Sequence, residues 1–135
     1  MAFPYVVDID RSLVLSRGLG ILTDADLIAH VRALSTDAAF RGDMCQLADF
    51  SEVTRIAISS AGIRELGRLN PWRQGARRAA VVASDYAYGM ARMYQIIREP
   101  SQDELEIFRR LDEALDWLRL RDDLEAISAR LALLT

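Results

Sequence analysis

The chain has one cysteine, Cys45, one histidine, His30, three prolines, and no lysine, so all of its basic residues are arginine. A single thiol excludes an intrachain disulfide framework. One Cys with one His supplies about half the ligands of a structural zinc site and lacks the short spacings of such sites, so no metal is expected. Cys45 opens an apolar run and reads as an inert buried thiol, while His30 reads as lying on the polar side of a helix. No Gly-x-Ser-x-Gly elbow is present and His30 is the only base of its type, which removes the usual nucleophile and base pairs. Gly18-Leu19-Gly20 lacks the third glycine and the following helix of a dinucleotide fingerprint and reads as a β-bulge or a close backbone approach. Neither an enzyme activity nor a cofactor is expected. No apolar run approaches the roughly eighteen residues of a membrane span. The first residues, MAFPYVVDIDRS, lack the basic start of a secretory signal, so the expected location is the cytoplasm. The all-arginine usage fits the codon bias of a GC-rich bacterial genome.

What is present is apolar content of 51% in 135 residues, enough for one domain with a substantial core. A net charge of −3 gives no basic footprint for nucleic-acid phosphates. Pro4 to Ile9 and Leu13 to Ile21, separated by Asp10-Arg11-Ser12, read as a β-hairpin. Thr23 with Asp26 forms a capping-box start, and Leu27, Ile28, Val31 and Leu34 recur at helical spacing, which predicts a helix over 24–34. A strand follows over 45–50, then a connection over 51–59 with a few extended residues at 56–58. The next helix is capped by Ser59 or Ser60 and stops at Asn70-Pro71. Arg77 to Ser84 reads as a strand, Ser84 or Asp85 as the cap of a helix ended by Glu99-Pro100-Ser101, Leu105 to Phe108 as a last strand, and Asp112 as the start of a further helix. The order is β-β-α-β-α-β-α-β-α, a small α/β domain with a mixed, largely parallel sheet.

The stretch from Cys45 to Leu69, CQLADFSEVTRIAISSAGIRELGRL, places an apolar strand before a helix opened by two serines and a glycine. It resembles the centre of the STAS domain, the SpoIIAA-like module of bacterial anti-sigma-factor antagonists, where a strand leads to an Asp-Ser-Ser-Gly-Leu-type turn. Matching Gly62 to the motif glycine places Ser59 at the family's Asp, Ser60 at its first Ser and Ala61 at the phospho-acceptor. The resemblance implies a SpoIIAA-like domain over residues 1–120, similar to bacterial STAS/SEC14-type proteins without an assigned enzyme activity. It also implies a regulatory or protein-interaction module working around the Ser59 to Leu66 helix. The alternative it implies is a SEC14-like carrier of a small apolar or lipid-like ligand.

Three groups of residues carry candidate chemistry. Ser59, Ser60 and Gly62 form either a phosphate-accepting helix N-terminus or a plain helix cap, with Gly62 allowing close packing of the helix on the sheet. Arg73, Arg77 and Arg78 beside Trp72 could hold an anion or an acidic protein partner, or form a solvated loop with Trp72 packed on the domain. Tyr86, Met90, Met93 and Tyr94 make an aromatic and thioether-rich helix, with Tyr86, Met90, Met93 and Ile97 on one face, that is either core or the wall of an apolar groove. Beyond these, Leu124, Ile127, Leu131 and Leu134 make residues 121–135 an amphipathic helical extension of the same domain. The expectation is a homodimer through this stripe, with folding back on its own domain as the alternative.

Overall fold

The structure, a computed structural model, describes residues 2–135 and holds one five-stranded sheet. The elements are β1 (Tyr5–Asp8), β2 (Leu13–Thr23), α1 (Asp24–Ser35), β3 (Cys45–Ala57), α2 (Ser60–Arg68), β4 (Arg77–Val81), α3 (Asp85–Ile97), β5 (Glu104–Phe108), α4 (Leu111–Trp117) and α5 (Leu124–Ala132). The strands lie side by side in chain order. β1 pairs antiparallel with β2 through the predicted hairpin, and β2 to β5 are parallel. The mixed, largely parallel sheet expected from the element order is therefore present.

Each parallel step crosses over through one helix. Crossovers of one hand, all moving in the same direction along the sheet, place their helices on one face. Thus α1, α2 and α3 cover one side, where Val14, Ala48, Ile63 and Tyr94 are buried. The other side is covered by α4 and α5, whose Leu115, Ile127 and Leu131 pack with Leu13, Leu15 and Leu47. The strand alternation sorts side chains accordingly: Leu13, Leu15 and Leu47 face α4 and α5, whereas Val14, Ser16, Gln46 and Ala48 face α1 to α3.

Local signals explain most boundaries. Thr23 Oγ1 accepts from the Asp26 amide at 3.2 Å while Asp26 accepts from the Thr23 amide at 2.9 Å, the reciprocal pair read from the sequence. Ser84 caps α3 by accepting from the Ala87 amide at 3.1 Å. Gly20 takes a φ of 62° where the β2–β3 register slips, consistent with the bulge expected around Gly18-Leu19-Gly20. The connection expected over 51–59 is a correction: β3 runs on to Ala57, pairing Arg55 and Ile56 with Ile21 and Leu22, so only Ile58 and Ser59 connect. Polar residues at 51, 52 and 54 obscured this run because β4 ends opposite Asp49 and leaves the second half of β3 as a partly solvated edge.

The tail takes the fold-back alternative. Its stripe is covered within the chain, with Ile127 and Leu131 buried and Leu124 and Leu134 packed against the same core. Arg130 reaches Asp8 at 3.2 Å, and Arg17 donates to the Leu131 carbonyl at 3.3 Å and the Leu134 carbonyl at 2.9 Å. The physical reason offered for a homodimer, an apolar stripe needing a partner, is thereby removed.

Candidate functional site

Between the sheet and α1 to α3 lies a cavity of about 110 Å³, partly open to solvent. Its wide wall is apolar: Phe50, Val53 and Ile56 come from the overrun of β3, Ile63 and Leu66 from α2, and Ala87 and Met90 from α3. A second depression, of about 350 Å³ and sharing Phe50, Val53, Ile56 and Ala87, continues it past Ser84 and Tyr86, which marks this end as the mouth. The mouth lies at the C-terminal ends of the parallel strands, the usual ligand position in open α/β sheets. The opposite end is polar, lined by His30, Gln46, Trp72, Arg78 and Tyr94, each buried.

That polar end is one connected network. Arg78 donates through Nη1 to Asp103 Oδ2 at 2.9 Å and to the Tyr94 hydroxyl at 2.9 Å, and through Nε to Gln46 Oε1 at 3.0 Å. Gln46 Nε2 donates to Ser16 Oγ at 3.2 Å. Ser16 Oγ and His30 Nε2 lie 2.8 Å apart, a hydrogen bond whose direction follows the His30 tautomer. Asp103 also accepts from Asn70 Nδ2 at 3.0 Å and from Arg98 Nη1 at 3.3 Å, and Arg98 donates to its backbone carbonyl as well. The Arg78 guanidinium stacks over Trp72 at 4.0 Å from the ring centroid. Burial, helped by the nearby Arg78 charge, pushes His30 down from 6.5 to about 3, so the imidazole is neutral at physiological pH. It stacks on Phe3 at 4.2 Å between centroids.

The structure divides the sequence-predicted residues. Ser59 is the cap of α2: its Oγ accepts from the Gly62 amide at 3.0 Å and donates to Asp24 Oδ2 at 2.6 Å, and its amide donates to Asp24 Oδ1 at 2.9 Å. Ser60 is exposed and lies inside the helix. The anion at this N-terminus is thus the chain's own Asp24, and a phosphate on Ser59 would meet that carboxylate. Gly62 is corrected in its role, since a Cβ there would lie 2.1 Å from Asp24 Oδ1; it makes room for a side chain of α1 rather than for the sheet.

Arg73, Arg77 and Arg78 do not converge. Adjacent strand residues point to opposite faces, so Arg77 stacks on Trp117 at 4.9 Å and donates to its carbonyl at 2.6 Å beneath α4, while Arg78 enters the cavity network. Arg73 is exposed on the preceding loop, so the three arginines expected to share one anion site lie apart. Trp72 is packed on the domain as expected. Of the α3 residues, Met90 and Tyr94 line the cavity, Met93 packs beside Tyr94, and Tyr86 is exposed near the mouth. Of the expected face, Met90, Met93 and Ile97 pack inward beside Tyr94, and the correction is Tyr86, which is exposed while its neighbour Ala87 is buried.

His30 is likewise not on a polar helix side. Its spacing from Leu27 and Leu34 matches the buried face of α1, the signal that could have placed it in the core. Cys45 packs toward α4 and α5 on the opposite side of the sheet from His30, and burial pushes its thiol up, so the two form no pair. Sequence reading missed Ser16, Gln46, Arg98 and Asp103. For Ser16 and Gln46 the available signal was a polar residue at an inward position of an apolar strand.

Fold and site together define a small α/β domain of SpoIIAA-like fold with a buried polar network at the end of an apolar cavity. Among solved structures, the chain is similar to an uncharacterised protein of the DUF3478 family from Shewanella loihica, itself described as having a SpoIIAA-like fold. The TM-score is 0.56 and the identity 17%, over 87% of this chain and 92% of that one. No protein-family model matches the chain, and no curated protein matches it. Among the described residues, no helix is long and apolar enough to cross a membrane.

Proposed function

We propose that this domain binds a small, largely apolar ligand in the cavity between its sheet and α1 to α3. The observation that carries the reading is a partly open, apolar-walled space whose polar groups all gather at one buried end. An apolar cavity of about 150 Å³ takes a benzene ring. A space of about 110 Å³ that is open at its mouth therefore suits a small ring or a chain of a few carbons. The rival expectation of a regulatory module docking partners through α2 draws little support from that helix. Its N-terminus is already met by Asp24, and on its outer side Arg68 is paired with Glu65 at 2.5 Å.

Ala87 lies where cavity and mouth meet, so Ala87→Phe should plug the space. Titration calorimetry with toluene and benzyl alcohol is expected to show saturable binding to the native chain and at least a tenfold loss in A87F, with cooperative unfolding retained. The absence of binding by either compound, or equal binding by A87F, would overturn the reading.

A further inference from the structure

Resting on that ligand-binding reading, we propose that the ligand is a small apolar acid whose carboxylate docks at the buried end of the cavity, toward Trp72 and Arg78. Two independent observations lead there. The first is charge. Arg78 and Arg98 are both buried and both bond to Asp103, a single carboxylate that is itself fully buried. The network's other members, Gln46, Ser16, Asn70, Tyr94 and the neutral His30, bring no negative charge. The network thus sets two guanidiniums against one carboxylate, an excess of one positive charge in a low-dielectric site that an added anion would balance.

The second is an unmet donor. The Trp72 indole Nε1–H is buried and has no hydrogen-bond partner, although Trp72 is only 5% exposed and lines the cavity. Nearly all such buried donors are paired in folded proteins, and an orphan donor on a side chain that lines a cavity is a place for a ligand acceptor. A carboxylate answers both needs at once, since it is the acceptor an indole N–H requires and the anion that the arginine pair lacks. A neutral acceptor would satisfy the indole but leave the charge. The apolar remainder of the ligand would lie along Ile63, Met90 and Phe50 toward the mouth.

Phenylacetate, phenylacetamide and toluene share a ring of suitable size and differ at the polar group. At pH 7.5, calorimetry is expected to show phenylacetate binding at least about tenfold tighter than phenylacetamide, as a charge-assisted hydrogen bond implies. Trp72→Phe keeps an aromatic platform for Arg78 and removes the N–H. Arg98→Gln removes the excess charge without touching the cavity wall. Each should cut the acid-to-amide ratio severalfold, and because the ratio is the readout, a general loosening of the cavity in W72F does not imitate the effect. Should either variant fail to unfold cooperatively, the other carries the test. Equal binding of acid and amide, or an unchanged ratio in a folded variant, overturns the carboxylate while leaving the ligand reading in place. Failure of all three compounds to bind overturns both.

Discussion

At the scale of single residues, His30 shows how burial converts a titratable group into a stability term. In the folded chain its pKa is about 3, against an ordinary value of 6.5. The unfolded chain therefore takes up the proton first as the pH falls. Stability is fully present above about pH 6.5 and is lost as the pH drops toward 3, with a slope approaching about 1.4 kcal/mol per pH unit. Asp8 and Asp112 are also held low: burial opposes this for Asp8, but hydrogen bonds from Arg11 outweigh it, and Arg110 does the same for Asp112. Their contribution begins only where unfolded carboxyls protonate, below about pH 5. Because the chain has no second histidine, the window from pH 6.5 to 5 belongs to His30. Urea unfolding across that window should show the slope in the native chain and lose it in His30→Gln, whatever the variant's absolute stability. A flat native profile would mean that the imidazole reaches solvent in the folded state.

At the scale of elements, the junction of α1 with α2 depends on one space and one carboxylate. Asp24, in the first turn of α1, bonds to both the amide and the hydroxyl of Ser59, and Gly62 leaves the room it occupies. A methyl at position 62 would displace the flexible end of Asp24 rather than backbone, so its cost is the lost hydrogen bonds, partly offset by the better helix propensity of Ala. Gly62→Ala and Asp24→Ala should each lower stability by about 1–2 kcal/mol. Since both remove the same contact, the double variant should lose little more than either single one, whereas full additivity in the thermodynamic cycle would refute the shared origin. The same junction shows what a sequence can reveal. The capping box at Thr23, the cap at Ser84 and the hairpin were legible because each depends on a few neighbouring residues with specific hydrogen-bonding chemistry. The partner of Ser59 was not legible, because Asp24 lies 35 positions away and no local pattern joins them. The cavity network was hidden for the same reason. Arg77 and Arg78 look like one basic patch along the chain, and only strand alternation separates them into a groove under α4 and the end of the cavity.

At the scale of the whole molecule, the strand order decides why the last residues are needed. Three successive crossovers place α1, α2 and α3 on one face, and a parallel sheet requires cover on both. The other face, with Leu13, Leu15 and Leu47 fully buried, is shielded among the described residues by α4 and α5. The apolar stripe of residues 121–135 was readable at helical spacing, but whether it met its own sheet or a second copy depended on the sheet having a bare face, which follows from topology rather than from periodicity. Ion pairs from Arg11 to Asp123 at 3.2 Å and from Arg130 to Asp8 fix the tail against the β1–β2 hairpin. Ile127 is fully buried, so Ile127→Ala should destabilise the chain by about 2–5 kcal/mol through lost burial and the cavity left behind. Removing residues 122–135 should be far worse, since it uncovers the face that holds the largest core cluster. The truncated chain is expected to lose cooperative thermal unfolding and to bind a hydrophobic dye, and Leu133→Ser, which alters an exposed tail residue, should change neither property. A truncated chain that unfolds cooperatively at the native midpoint would show that α5 is dispensable cover and that the face beneath it is satisfied in another way.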